Sequence, residues 1–67
     1  MIKITANGET FSIAEALPLP DFLAERGQAP ERVIVERNGE ALTQSETKAA
    51  TLAQGDVLEI VRIVAGG

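Results

Sequence analysis

Few residues in this sequence could do chemistry on their own. Its 67 residues include no cysteine, histidine, tryptophan or tyrosine, which removes the usual nucleophile–base pairs and nearly all transition-metal ligand sets. Ten Asp and Glu side chains are scattered through the chain, where solvation rather than catalysis is expected of them. Ser45-Glu46-Thr47-Lys48 has the Ser-x-x-Lys spacing of a serine hydrolase motif. The companion motifs of such enzymes are missing, however, and so small a domain cannot enclose an acyl-enzyme pocket. Ser45 is read instead as the N-cap of a single helical turn. The group left with chemistry to offer is the α-carboxylate of Gly67. Glycine has no side chain and loses the most backbone entropy on ordering, so the tail Ala65-Gly66-Gly67 is expected to be mobile and thin enough to thread another enzyme's active site. Two terminal glycines arise by chance in roughly 0.5% of chains at average glycine usage, which favours a purpose over a frayed end. Sulfur, if this chain carries any, must sit on that carboxylate, because no side-chain thiol exists. No catalytic group and no bound cofactor or metal is expected, so the protein reads as a substrate of enzymes rather than an enzyme.

A tail can only be presented by something that holds its root. The root is Val57-Leu58-Glu59-Ile60-Val61-Arg62-Ile63-Val64-Ala65, with only Glu59 and Arg62 charged. This is the profile of a central strand covered on at least one face. Period-two alternation puts Leu58 and Ile60 toward the core, and places Val61 and Ile63, beside Val64, on an outer face suited to docking a partner.

The elements that must hold this strand follow in chain order. Met1 to Ala6 alternates Ile2 and Ile4 with Lys3 and Thr5, and Asn7-Gly8 is a hairpin signal, since a type I′ turn needs positive φ at both central residues. With that pair as the loop, Ala6 faces Glu9, Ile4 faces Phe11 on a dry face, and Ile2 faces Ile13. Polar then meets polar at Thr5–Thr10 and Lys3–Ser12. Glu15 to Leu17 connects to a helix of about seven residues with Pro20 in its first turn and Gly27 as its C-terminal cap. Leu19, Phe22 and Leu23 form its apolar stripe. Gln28 to Glu31 is a loop, Arg32 to Arg37 a strand, and Asn38-Gly39 a second hairpin turn into a short strand, Glu40 to Thr43. Leu52 anchors the following segment, and Gly55-Asp56 turns into the last strand. A helix between two hairpins fits an α+β, β-grasp arrangement: a mixed sheet of about five strands with one main helix on one face. The last strand would lie centrally, parallel to the first. One domain, residues 1–67, is expected to end in the flexible Gly66-Gly67 tail.

Net charge is −4, from six basic and ten acidic residues. The basic residues are dispersed, which disfavours nucleic acid. No apolar run is long enough to span a bilayer, and Met1-Ile2-Lys3-Ile4 enters a strand pattern without a signal-peptide layout. A cytoplasmic protein, monomeric when free, is the expectation. Its stability should be modest, roughly 3–10 kcal/mol for this length.

The assembled residues resemble the ThiS family, ubiquitin-like sulfur carriers of thiamine biosynthesis. The markers are Val35-Glu36-Arg37-Asn38-Gly39-Glu40, then Leu52 through Val61, then Val64-Ala65-Gly66-Gly67, in this order and in a chain of this size. The resemblance implies that a ThiF-like (E1-like) adenylyltransferase uses ATP to convert the Gly67 carboxylate to an acyl-adenylate. Sulfur from a persulfide donor then displaces AMP to leave a thiocarboxylate, and a ThiG-like thiazole synthase takes the sulfur. The chain departs from the family pattern at Pro18 and Pro20, which crowd the helix start, and at Gln44, where a basic residue is common. Rival readings are the MoaD-like small subunit of molybdopterin synthase, whose chains tend to be longer, a ubiquitin-like protein modifier, and a plain interaction module using the sheet surface.

Overall fold

The first hairpin forms with the register its side chains require. In the computed structural model, which describes residues 1–64, β1 (Ile2–Ala6) and β2 (Glu9–Ile13) pair antiparallel, with Ile2 opposite Ile13, Ile4 opposite Phe11 and Ala6 opposite Glu9. Asn7 and Gly8 take φ of 50° and 81°, as the type I′ turn demands. Phe11 is only partly buried, contrary to the dry face expected of it. β2 is an edge strand, and the ring finds cover elsewhere. It stands edge-to-face on Phe22 at 5.4 Å between centroids, with the Arg26 guanidinium 4.2 Å above it.

α1 (Leu19–Glu25) buries Leu19, Phe22 and Leu23 against the sheet. Seven residues cannot hold a helix alone in water, so packing and end contacts fix it. Pro18 is the N-cap and Pro20 lies within the first turn. Leu19 N donates to Ala50 O and Leu52 N to Leu17 O, both at 2.9 Å, which ties the helix start to the segment before the last strand. At the other end, Gly27 N donates to Ala24 O and Gln28 N to Leu23 O. This is a Schellman closure, and it needs the positive φ of 73° that Gly27 supplies.

A 3-10 turn over Pro30–Arg32 replaces the expected loop end and strand start. Arg32 N is used by Ala29 O, so β3 begins one residue later than anticipated, at Val33 (Val33–Arg37). β4 is Glu40–Ala41, not Glu40 to Thr43. Leu42 N still reaches Val35 O at 2.8 Å, but Thr43 leaves the ladder to cap α2 (Gln44–Ala49). Thr43, not Ser45, is the N-cap. Its hydroxyl accepts from Glu46 N at 3.1 Å while its own N–H donates to Glu46 Oε1 at 2.8 Å, a complete capping box. The Gln44 amide donates to Pro30 O at 3.0 Å and also faces Val33 O, so at this position an uncharged group joins α2 to the 3-10 turn.

β5 (Val57–Arg62) lies at the centre of a five-stranded sheet ordered β2-β1-β5-β3-β4. It runs parallel to β1 and antiparallel to β3. The strand stops at Arg62 rather than continuing to Ala65. Ile63 N makes one more bond, to Arg32 O at 2.8 Å, and there the 3-10 turn ends the available partner. Ile4, Val33, Val35, Leu52, Leu58 and the α1 stripe form the core on the helix side of the sheet. A mixed five-stranded sheet with its main helix on one face is the β-grasp fold that the residue pattern implied. Among the described residues no helix is long and apolar enough to cross a membrane.

Candidate functional site: the central strand and its outer face

The strand that leads to the tail is held by the two hairpin asparagines. β1 turns away at Asn7, so its backbone meets β5 over only two rungs, Thr5 with Val57 and Ala6 with Leu58. Beyond them the Ile60 peptide groups would lack partners, and an unpaired buried N–H costs about 1–3 kcal/mol. The Asn7 side chain takes the place of the missing strand. Its Oδ1 accepts from Ile60 N at 2.7 Å and its Nδ2 donates to Ile60 O at 3.1 Å, while Asn7 N donates to Leu58 O at 2.9 Å. At the start of β5, Asn38 acts likewise. Its N–H donates to Val57 O and its Oδ1 accepts from Val57 N, both at 2.8 Å. The residues chosen for positive φ in the turns thus also fasten the tail's root.

Asp56 completes the fastening. Its buried carboxylate accepts from Ala53 N at 2.8 Å and Asn38 Nδ2 at 3.1 Å, and pairs with Arg37 at 2.8 Å. Burial pushes the carboxyl pKa up, but hydrogen bonds from Ala53, Asn38 and Arg37, with the Arg37 charge, outweigh it and hold Asp56 below its ordinary value. The charge therefore belongs to the folded state. Arg37 also donates to Thr51 O at 2.8 Å, which joins β3 to the segment before β5.

Of the expected docking residues, Val61 lies on the outer face of the sheet, 59% exposed, whereas Leu58 and Ile60 are buried. Ile63 and Val64, 46% and 83% exposed, follow the end of β5, and Ile63 borders the end of α1 rather than continuing the outer row. The structure adds two residues that the sequence reading left unassigned. Ile34, 50% exposed, lies directly opposite Val61, and Val57, also 50% exposed, continues the same row. Ile34 sits in Val33-Ile34-Val35, where three β-branched residues in succession hide the alternation of inside and outside. Only its register against Val61 reveals its face. Glu36 and Glu59 oppose one another within this apolar row, a like-charge pairing that disfavours the sheet slightly.

Ala65, Gly66 and Gly67, the threading and modification residues, lie outside the described residues. What the described part supplies is a fixed root, an outer apolar face beside it, and the chain continuing from Val64. Among the described residues no three His, Cys, Asp or Glu side chains gather as metal ligands. Ser45 and Lys48 belong to α2, whose cap is now assigned to Thr43.

Comparison with known proteins adds the following. The model of the ThiS family matches residues 2–67. Proteins named thiazole synthase from Magnetococcus marinus and Paramagnetospirillum magneticum are 35% and 33% identical over 66 residues, covering 98% of this chain. The chain spans only 20% of the length of each. The crystal structure of a thiamine biosynthesis protein (ThiS) from Geobacter metallireducens is similar with a TM-score of 0.79 at 33% identity, covering 98% of this chain and 100% of that one. A solution NMR structure of a thiamine biosynthesis protein from Geobacter metallireducens gives a TM-score of 0.75 at the same identity, covering 98% and 88%.

Proposed function

This chain belongs to the ThiS family of sulfur carriers in thiamine biosynthesis, and we propose that it carries sulfur as a thiocarboxylate on Gly67. One observation carries the reading: β5, the central strand, is fastened by side chains at Val57 and Ile60 and leads through Val64 directly into Ala65-Gly66-Gly67. A rigid sheet docks, and a tail without bulky side chains reaches the chemistry. At about 3.3 Å per extended residue, three residues reach roughly 10 Å.

In this reading an E1-like adenylyltransferase attaches AMP from ATP to the Gly67 carboxylate, with release of pyrophosphate. The carboxylate is a poor electrophile; the mixed anhydride is a good one. The terminal sulfur of a persulfide attacks the acyl carbon and AMP leaves. Reductive cleavage of the sulfur–sulfur bond by a thiol then frees the thiocarboxylate. The carrier supplies no acid, base or nucleophile to these steps. Thiazole synthase is the proposed recipient, supported by the similarity of this chain to a fifth of each of two proteins bearing that name. Val61, Ile63 and Val64, with Ile34 and Val57, are the proposed docking residues.

The test is the intact mass after incubation with a cognate E1-like enzyme, ATP and a persulfide donor. Exchange of one oxygen for sulfur at the terminal carbonyl is expected. Sulfur on any other atom, or none at all, would sink the reading.

A further inference from the structure

Two of the four arginines have partners within the fold: Arg37 pairs with Asp56, and Arg26 covers Phe11. Arg32 and Arg62 have no ion pair or side-chain hydrogen bond among the described residues. Both line one groove of about 580 Å³ between the end of α1 and the last rungs of the β3–β5 ladder. Ala24 and Ala29 line its helix side, and Val33 and Ile63 its sheet side. The ladder brings the arginines together, since Arg62 lies opposite Val33 and Ile63 N bonds to Arg32 O. The groove therefore sits at the root of the tail.

We propose that this groove receives an acidic segment of the protein that handles the tail, with a carboxylate between Arg32 and Arg62 and apolar side chains against Ala24, Ala29, Val33 and Ile63. The inference rests on the reading that a partner protein acts at Gly67. Both guanidinium groups are permanently charged, and their planar forks match carboxylate geometry. In a chain of net charge −4, two arginines in one groove, unpaired among the described residues, are a local reversal of sign, which selects an anion against the general field. Free phosphate and nucleotides suit the site less well. Phosphate sites recruit free backbone N–H groups, often at helix N-termini. This groove adjoins the C-terminal end of α1, where the N–H groups of Arg26, Gly27 and Gln28 are already committed to Leu23 and Ala24 carbonyls. The apolar lining and the volume fit side chains flanking an acid rather than a lone ion.

The experiment has two arms. In the first, the double variant Arg32→Glu, Arg62→Glu is compared with wild type as substrate of the E1-like enzyme, with the ATP and persulfide donor that together thiocarboxylate wild type. The KM for the carrier should rise about tenfold at low salt, with a smaller change in kcat, and the gap should narrow as salt screens the charges. Thermal unfolding checks that the variant is folded, and Arg62→Gln should give an intermediate KM. A folded double variant with a wild-type KM overturns the proposal. In the second arm, an acetylated and amidated Leu-Glu-Leu peptide is titrated into the 15N-labelled protein. Saturable shifts at the Arg32, Val33, Arg62 and Ile63 amides, lost with a Leu-Gln-Leu peptide, are expected. Equal saturation by AMP or inorganic phosphate, or peptide shifts elsewhere, overturns the choice of occupant. If wild type accepts no sulfur, the proposed function falls, and the peptide arm decides the groove alone.

Discussion

Deleting Gly67 withdraws the terminal carboxylate by about 3.3 Å, while a misplacement of 1 Å can cost about a hundredfold in rate. The deletion variant should therefore form no measurable thiocarboxylate by intact mass, and a one-residue extension should be equally damaging. Both should unfold at the wild-type temperature, because neither change touches β5 or the core. At Asp56 a single charge matters to stability. Its folded pKa is depressed, so its contribution is fully present above the ordinary Asp value of about 3.9 and is lost as pH falls through the folded value. Asp56→Asn should lower the urea midpoint at neutral pH. It should also flatten the decline expected of wild type below about pH 4, and parallel acid limbs for the two proteins would show that Asp56 is not the titrating group. The sequence marked Asp56 only as a turn residue. Its partners Asn38 and Arg37 lie 18 and 19 positions away and meet it only once β3 and β5 pair.

At the scale of elements, the start of α2 separates two readings of neighbouring residues. Thr43→Ala removes the capping box and should cost about 1 kcal/mol. Ser45→Ala, within the first turn and exposed, should change stability by less than about 0.5 kcal/mol. Denaturant unfolding of the two variants checks the order. The Thr43-Gln44-Ser45-Glu46 spacing was legible in the sequence as Thr-x-x-Glu, but Ser45 also fits a cap, and local pattern alone does not choose between overlapping caps. Hairpin registers were legible because Asn7-Gly8 and Asn38-Gly39 fix the loop and alternation fixes the facing pairs. The ends of strands were not. β4 and β5 stop where a neighbour leaves, Thr43 to a helix and Arg32 to a 3-10 turn, and those departures are set by partners rather than by propensity.

Across the whole molecule, the sheet separates two tasks by face. Helices and core occupy one side, and the apolar row of Ile34, Val57 and Val61 occupies the other. Val61→Glu should leave the domain folded, with stability changed by less than about 1 kcal/mol, because the side chain is more than half exposed. The same variant should bind the adenylyltransferase or the thiazole synthase more weakly, read by calorimetric titration. Loss of the folded state would instead place Val61 in the core. The sheet order and the central position of β5 could be read from a long apolar strand and a helix between two hairpins. The two-face division was only half visible. Polar alternation exposed it on β1, whereas Val33-Ile34-Val35 concealed it on β3. The groove between Arg32 and Arg62 was not visible at all, since thirty positions separate residues that a single ladder brings together.

The asparagines that clamp β5 also bear on how the molecule ages. Asn-Gly sequences deamidate when the following glycine nitrogen attacks the side-chain carbonyl carbon to close a succinimide ring. Here Asn7 holds Ile60 through both of its polar side-chain atoms, and Asn38 holds Val57 and Asp56 in the same way, so neither side chain is free to turn toward its glycine. The folded protein should accumulate deamidated mass more slowly than the urea-unfolded chain on prolonged incubation, and equal rates would contradict the clamps. The damage, once done, would reinforce itself. An aspartate at position 7 would set an anion against the Ile60 carbonyl, and one at position 38 would set it against Asp56. The spent carrier would loosen at the strand its tail depends on, so the contact that presents the tail also sets the molecule's shelf life.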